Sequence, residues 1–160
     1  MKTDSRCRRG ASQRRRLGAA AVEAALVLPV VITFLFGILE YGRYVMMLQV
    51  VTNAAREGAR YAVEHTNPVT LNGVTYGNAT SDVTTAVTKA MGGQSLSGQT
   101  VQVYTADSLG NNLGTWTNAQ PGESVCVKIT GNYPVVLAKM LFLNSTIPVT
   151  AQSVMRSESN

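Results

Sequence analysis

An apolar stretch near the N-terminus, residues 19–39, constrains the fold more than any other feature of this sequence. Only Glu23 and Thr33 within it are polar. A helix of about 20 apolar residues crosses the hydrocarbon core of a bilayer, because each residue adds about 1.5 Å of rise. The stretch therefore predicts one transmembrane helix.

Basic residues are concentrated directly before this helix. Residues 1–18 hold seven of the 14 Lys and Arg residues and one of the nine acidic residues, whereas the rest of the chain has seven basic against eight acidic residues. By the positive-inside rule, this leader is predicted to be cytoplasmic and the C-terminal part extracytoplasmic, in a single-pass protein of the inner (plasma) membrane. A nucleic-acid partner is not expected, because the exported part lacks the excess of cations that neutralises phosphates.

A cleaved secretory signal peptide is the main competitor of this interpretation. Its apolar region runs for about 7 to 15 residues and precedes a cleavage site made of small residues. Here the small residues 18–21 come before the apolar core, and Glu40, Tyr41, Gly42 and Arg43 follow it. We therefore expect the helix to remain as an anchor.

Helical periodicity continues beyond the membrane. No proline interrupts residues 40–64, and Leu48, Val51, Ala55 and Ala59 recur at steps of three and four, which places them on one helix face. Four polar residues lie mostly off that face and are predicted to be either a solvated surface or a partner-binding surface. They are Asn53, Arg56, Glu57 and Arg60.

The remaining residues, 65–160, are predicted to form a small exported domain of the α+β class. Asn72-Gly73 between two β-type triplets indicates a hairpin, and residues 79–91 have the pattern of a short amphipathic helix. The apolar run 135–143 is too short to span a membrane and is expected to be a core helix or a docking segment. Strands of a mainly antiparallel sheet are predicted at 100–106, 113–117, 124–133 and 147–155.

No pattern typical of a catalytic or cofactor site is present. The chain has one histidine, His65, and lacks a G-x-S-x-G, a phosphate loop and a C-x-x-C. Cys7 lies in the leader and Cys126 in the exported domain, so the two thiols are expected in different compartments and cannot pair. We therefore expect no enzymatic activity, no cofactor and no metal, and we expect Cys126 to be a small buried residue.

Charged and aromatic residues around the helix are the candidate membrane sites. An ionised Glu23 would cost about 2.5–3.5 kcal/mol at the bilayer centre and less near an interface, so it either reaches the headgroups or has a partner. Glu40, Tyr41 and Arg43 lie where a span of about 30 Å ends, and are predicted to be membrane-interface anchors.

Several of these features coincide in one known arrangement. A basic leader that ends in Gly18, followed by Ala19 and by Glu23 at the fifth position, resembles the N-terminus of type IV prepilins and pseudopilins. The segments AVEAAL at 21–26, GILEYGR at 37–43 and NAAREGARYA at 53–62 resemble the TadE family of the tight-adherence pilus system.

The resemblance implies a minor pilin or pseudopilin that contributes to assembly of a tight-adherence (type IVc) pilus. A prepilin peptidase would cut between Gly18 and Ala19, and Glu23 would then pair with the new amino group of a neighbouring subunit inside the membrane. Ala24 replaces the tyrosine of the major pilins, and the chain is longer than they are, which indicates a minor component. The implied partners are membrane lipid, other pilins or pseudopilins, pilus assembly proteins and, if the chain is processed, the peptidase.

The sequence also allows a different function. The helix could tether an extracytoplasmic binding module that no prepilin peptidase processes. In both cases the predicted organisation is a basic cytoplasmic leader at 1–18, a transmembrane helix at 19–40, an extramembrane helix extension at 41–64 and an exported α/β domain at 65–160.

Overall fold

The computed structural model describes residues 7–66, 69–72, 74–76, 79–140 and 145–157. Its architecture is α+β, as the sequence predicts: a long N-terminal helix is followed by an antiparallel sheet and short helices. The first six residues of the predicted leader lie outside the described residues.

The elements are α1 Cys7–Glu64, β1 Val69–Leu71, β2 Val74–Tyr76, α2 Thr80–Ala90, β3 Ser97–Ala106, β4 Asn112–Gly114, a 3-10 turn Trp116–Asn118, β5 Ser124–Pro134, α3 Val136–Met140 and β6 Thr146–Arg156.

The chain divides into two compact units, Met1–Tyr41 and Gly42–Asn160. In the first unit the described residues are helical, and α1 is continuous through Pro29. Its large apolar side chains are exposed: Leu26, Phe34 and Ile38 are each about 70 % exposed. Contact of so much apolar surface with water would be unfavourable. They need lipid or other helices to cover them.

Within the described residues one helix, over Gly18–Glu64, is long and apolar enough to cross a membrane. The residues of its most apolar window are not buried against any other part of the protein. A core helix of a soluble protein would be covered by its neighbours. The first unit is therefore compatible with a single-pass membrane anchor.

The second unit is built on a four-stranded antiparallel sheet in the order β4-β3-β5-β6. Central strand β5 alternates as its sequence predicts: Val125, Val127 and Ile129 are fully buried on one face, whereas Lys128 and Thr130 on the other face are partly exposed. Cys126 is buried as expected, although it belongs to the second face. The buried face packs against residues of α1 and α2 in one hydrophobic core.

A small hairpin and a glycine-dependent turn complete the unit. β1 pairs with β2 in a two-stranded antiparallel sheet, and Asn72 in its turn has a φ of 51°, which agrees with the hairpin that Asn72-Gly73 predicts. Gly73 itself lies outside the described residues. Helix α2 ends before Gly92 and Gly93, whose φ angles are 59° and 84°, so the two glycines stop the helix where the sequence predicts.

The strand predicted at 113–117 is confirmed only over its first two residues, which belong to β4. The chain instead leaves β4 at Gly114 and forms the 3-10 turn Trp116–Asn118. Trp116 is only 1 % exposed, and its Nε1 donates a hydrogen bond to Thr80 Oγ1 at 3.2 Å. Burial of this large aromatic side chain against α2 outweighs the strand propensity of the neighbouring residues.

Candidate functional site

The residues predicted for processing and for pairing lie in the helix of the first unit. Gly18, Ala19 and Glu23 are helical and exposed, so no part of the chain that the structure describes covers them. Their proposed roles in cleavage and intramembrane pairing stay predictions. An exposed carboxylate in an apolar helix is free to meet a group from another molecule.

The predicted interface anchors come next along α1. Tyr41 is 69 % exposed, Arg43 is exposed and Glu40 is half-buried. Tyr41 also lines a shallow apolar recess of about 350 Å³ together with Gly37 and Thr33. Their role as anchors at a membrane surface stays a prediction.

The segment 53–62 of α1 has one face buried in the core of the second unit and one face exposed to solvent. Its buried face consists of small residues: Ala54, Ala55, Ala59 and Ala62 are fully buried. Between them, a Cβ added to Gly58 would lie only 2.5 Å from Val87 Cγ2 of α2 and 3.3 Å from Val127 Cγ1 of β5. This small-residue face lets α1 approach the sheet and α2 closely.

The exposed face carries the four predicted polar residues. Asn53, Arg56, Glu57 and Arg60 are all exposed. Arg60 forms a two-point contact with Glu57, at 2.8 Å from Nη2 to Oε1 and 3.3 Å from Nε to Oε2. The hydrogen bond from Arg60 holds the pKa of Glu57 below its usual value, and the Glu57 carboxylate in turn raises the pKa of Arg60.

A second carboxylate extends this pair into a short network. Arg60 Nη1 lies 3.5 Å from Glu64 Oε1, one turn further along α1. Both partners are about half exposed, so solvent screens the attraction and its contribution to stability is small. The ion pairs orient the side chains of Glu57, Arg60 and Glu64 but contribute little to the stability of the fold.

An open groove of about 850 Å³ runs between α1 and α2, and we call it the α1/α2 groove. Asn53 and Glu57 of the predicted set line its α1 wall, together with Tyr61. The Tyr61 ring stacks on His65 at a centroid distance of 4.0 Å, and His65 Nδ1 lies 2.8 Å from the Tyr61 carbonyl oxygen. The α2 wall is formed by Asp82, Thr85, Ala86, Lys89 and Ala90.

The structure thus brings two of the four predicted residues into one groove and leaves the other two at its margin. Arg56 lines an adjoining recess that shares Asn53 with the groove. Sequence reasoning did not select Asp82 and Lys89. Their only signal is their position in the first and last turns of α2, where an acid and a base complement the helix dipole.

The lining of the α1/α2 groove is chemically mixed. It combines charges of both signs with aromatic and methyl groups, and it is open along its length. Among the described residues, no three His, Cys, Asp or Glu side chains converge in a way that could hold a metal ion.

The outer face of the sheet carries a second, smaller cluster. Tyr104, Ala106 and Cys126 are buried there, and the Tyr104 hydroxyl donates to the Gly110 carbonyl oxygen at 3.2 Å. Burial raises the pKa of Tyr104 to about 12, and the neighbouring Cys126 adds to this shift. The side chain of Asp107 accepts hydrogen bonds from Leu109 and Asn111, which lowers its pKa and orders the loop that covers the cluster.

Comparison with known families decides what the α1 residues represent. The sequence model of the TadE-like protein family matches residues 18–60. This stretch of the chain is similar to TadE-like proteins. A search of curated proteins and a search of solved structures each found no match.

The TadE-like region, residues 18–60, contains every site residue that the sequence predicts. It includes Gly58 and, of the small-residue face, Ala54, Ala55 and Ala59, whereas Ala62 lies beyond it. It also includes Asn53 and Glu57 of the α1/α2 groove. Tyr61 and the α2 wall lie outside the TadE-like region, so that region supplies only part of the groove.

Proposed function

We propose that this chain is a minor pilin or pseudopilin that contributes to assembly of a tight-adherence (type IVc) pilus at the inner membrane. The observation that carries the proposal is the TadE-like region, which covers the apolar helix, Glu23 and the helix extension in one continuous match. In this role the protein is structural rather than enzymatic. It acts by packing its helix beside those of other pilins or pseudopilins.

The exposed apolar surface of the first unit supports lateral packing. Small residues at the start of the span, such as Ala20, Ala21, Ala24 and Ala25, are exposed and allow helices to approach closely. In lipid, association depends on such close contact because burial of apolar surface gives no gain over lipid itself. The N-terminus is cytoplasmic and the second unit extracytoplasmic in this proposal.

The α1/α2 groove supports a second contact outside the membrane. A partner that packs its own helix beside α1 would meet Asn53, Glu57 and Tyr61 on one wall and Asp82 and Lys89 on the other. Asn53 and Glu57 of the first wall lie in the TadE-like region, and the second wall would give the contact its specificity. The partner is therefore another pilin or a pilus assembly protein that presents a helix.

The same groove favours one alternative function. An anchored module that binds an extracytoplasmic ligand would also need an open, chemically mixed groove on the exported unit. That protein would keep its leader and would stay in the membrane fraction.

Deletion of the chromosomal copy tests the proposal. We expect loss or severe reduction of tight-adherence pili on electron micrographs, because a minor component is needed to start or complete the fibre. Full-length wild type should restore the pili, and the same chain with only its transmembrane residues 19–40 replaced by an unrelated apolar helix should not. Normal pili in the deletion strain would contradict the proposed function and leave the anchored binding module.

A further inference from the structure

One edge of the four-stranded sheet is a long, regular strand. β6 pairs with β5 through eleven consecutive residue pairs, from Ser124–Arg156 to Pro134–Thr146, without a register shift. No other described strand pairs with the opposite side of β6. Its outward backbone N–H and C=O groups therefore form a row of hydrogen-bonding groups without a strand partner among the described residues.

The two edges of the sheet differ in how they are protected. The opposite edge consists of the three-residue strand β4 and of the part of β3 that β4 does not reach. β4 pairs only with Thr105 and Ala106, with a register shift between them, and β3 has a second irregularity between Ser97 and Thr100. Short strands and irregular pairing are common ways to protect an edge. In β6, Pro148 interrupts only the beginning, and residues 149–156 continue without a bulge.

We propose that the β6 edge is an interface for a second copy of this chain. Two β6 strands pair in antiparallel orientation about a two-fold axis, which joins two four-stranded sheets into one sheet of eight strands. An identical edge has the matching length, whereas β4 is too short to cover β6. A two-fold contact also closes on itself and does not propagate into a fibre of sheets.

The charges of β6 fit pairing with itself. Residues 146–155 contain no charged side chain, so the antiparallel pairing sets no like charges opposite each other. Arg156, at the end of the strand, donates from Nε to the Gly122 carbonyl oxygen at 2.9 Å and is held within its own copy. Ile147 and Val154, which are 36 % and 37 % exposed, would lose part of their contact with water.

The two-fold symmetry predicts which residues of the two β6 strands lie directly opposite each other, whereas random contacts would favour no position. Both copies keep their buried face on the same side of the joined sheet. The two-fold axis therefore runs between one residue of β6 and the same residue of the second copy, which lie directly opposite each other. That residue lies near the middle of 149–156, at Gln152 or Ser153. Directly opposed residues in antiparallel strands have Cα atoms about 4.5–5.5 Å apart, which suits a disulfide, and pairs further along the strand diverge rapidly.

A single-cysteine scan of residues 150–154 tests this geometry. Each variant is made in full-length protein with Cys7→Ser, with buried Cys126 left in place, and is oxidised in membranes. We expect the disulfide-linked dimer to peak at one position and to fall at least fivefold two residues away. Thr88→Cys on exposed α2 and Leu113→Cys on β4 are controls and should give little dimer.

Three results of the scan would overturn the proposal. Equal cross-linking at all five positions would indicate parallel pairing or random collision. No dimer at any position would show that the edges do not meet. A dimer that forms mainly through Leu113→Cys would place the contact at the opposite edge.

A matched pair of double variants tests the edge without cysteines. Thr150→Lys with Gln152→Lys places repelling charges at the proposed interface, and Thr88→Lys with Leu113→Lys adds the same charge at exposed positions on α2 and β4. We expect the first variant to weaken self-association of the full chain in detergent at least tenfold, by sedimentation, and the second to leave it unchanged. Both should keep wild-type fluorescence of buried Trp116, and unchanged self-association of a folded first variant would overturn the proposal.

Discussion

Replacement of Gly58 by alanine should lower the free energy of unfolding of the second unit by about 1–2 kcal/mol. The new Cβ would lie 2.5 Å from Val87 Cγ2 and 3.3 Å from Val127 Cγ1, and both valines are fully buried and stiff. Overpacking of this kind costs about 1–3 kcal/mol, and the better helix propensity of alanine offsets up to about 1 kcal/mol of it. For Gly58→Leu we expect α1 and α2 to separate and the cooperative transition to be lost.

Chemical denaturation of the full chain in detergent measures this effect. Trp116 is the single tryptophan, and it is buried in the second unit, so its fluorescence follows the unfolding of that unit alone. Gly42→Ala is the matched control, because it lies in the same helix and no atom comes within 4 Å of its added Cβ. It should be neutral or slightly stabilising. A Gly58→Ala protein as stable as the Gly42→Ala protein would show that close packing at Gly58 is not required.

Substitution of Glu23 by alanine should reduce incorporation of the chain into pili at least tenfold. In the proposed assembly, the carboxylate meets the amino group of a neighbouring subunit's Ala19 within the membrane. An ion pair in lipid is strongly favoured over a lone charge, so the loss of one partner leaves the amino group uncompensated. Insertion of the single chain should not suffer, because alanine removes a polar group from an apolar helix.

Quantitative immunoblots of sheared pili and of membranes measure this ratio. Glu40→Ala is the control, since it removes a carboxylate from the same helix at the predicted membrane interface. It should keep most of the incorporation. Wild-type incorporation of the Glu23→Ala protein, at equal membrane levels, would remove the pairing role and leave Glu23 as an interfacial side chain.

Much of this fold could be predicted because its elements have strong local patterns. The apolar residues 19–39, the hairpin at Asn72 and the helix α2 each carry a signal within a few residues. β5 likewise follows from alternation alone. The turn at Trp116 could not be predicted, since its conformation depends on a contact with Thr80, which is 36 residues away.

The candidate site, too, could be predicted only where its residues have a local sequence signal. Asn53 and Glu57 could be selected from one helix face and a family resemblance. Asp82 and Lys89 could not, because their place opposite α1 depends on how α2 docks on the sheet. A glycine inside a helical pattern was the available signal for Gly58, yet only the positions of Val87 and Val127 show why it must be glycine.

The N-terminal residue of the membrane-bound protein shows most directly whether the chain is processed as a pilin or pseudopilin. The full chain is expressed with its cognate prepilin peptidase, isolated from membranes and analysed by intact mass and terminal sequencing. We expect the mature chain to begin at Ala19, and we expect an inactive peptidase to leave Met1 in place. A chain that still begins at Met1 beside a peptidase that processes other prepilins in the same cells would contradict it.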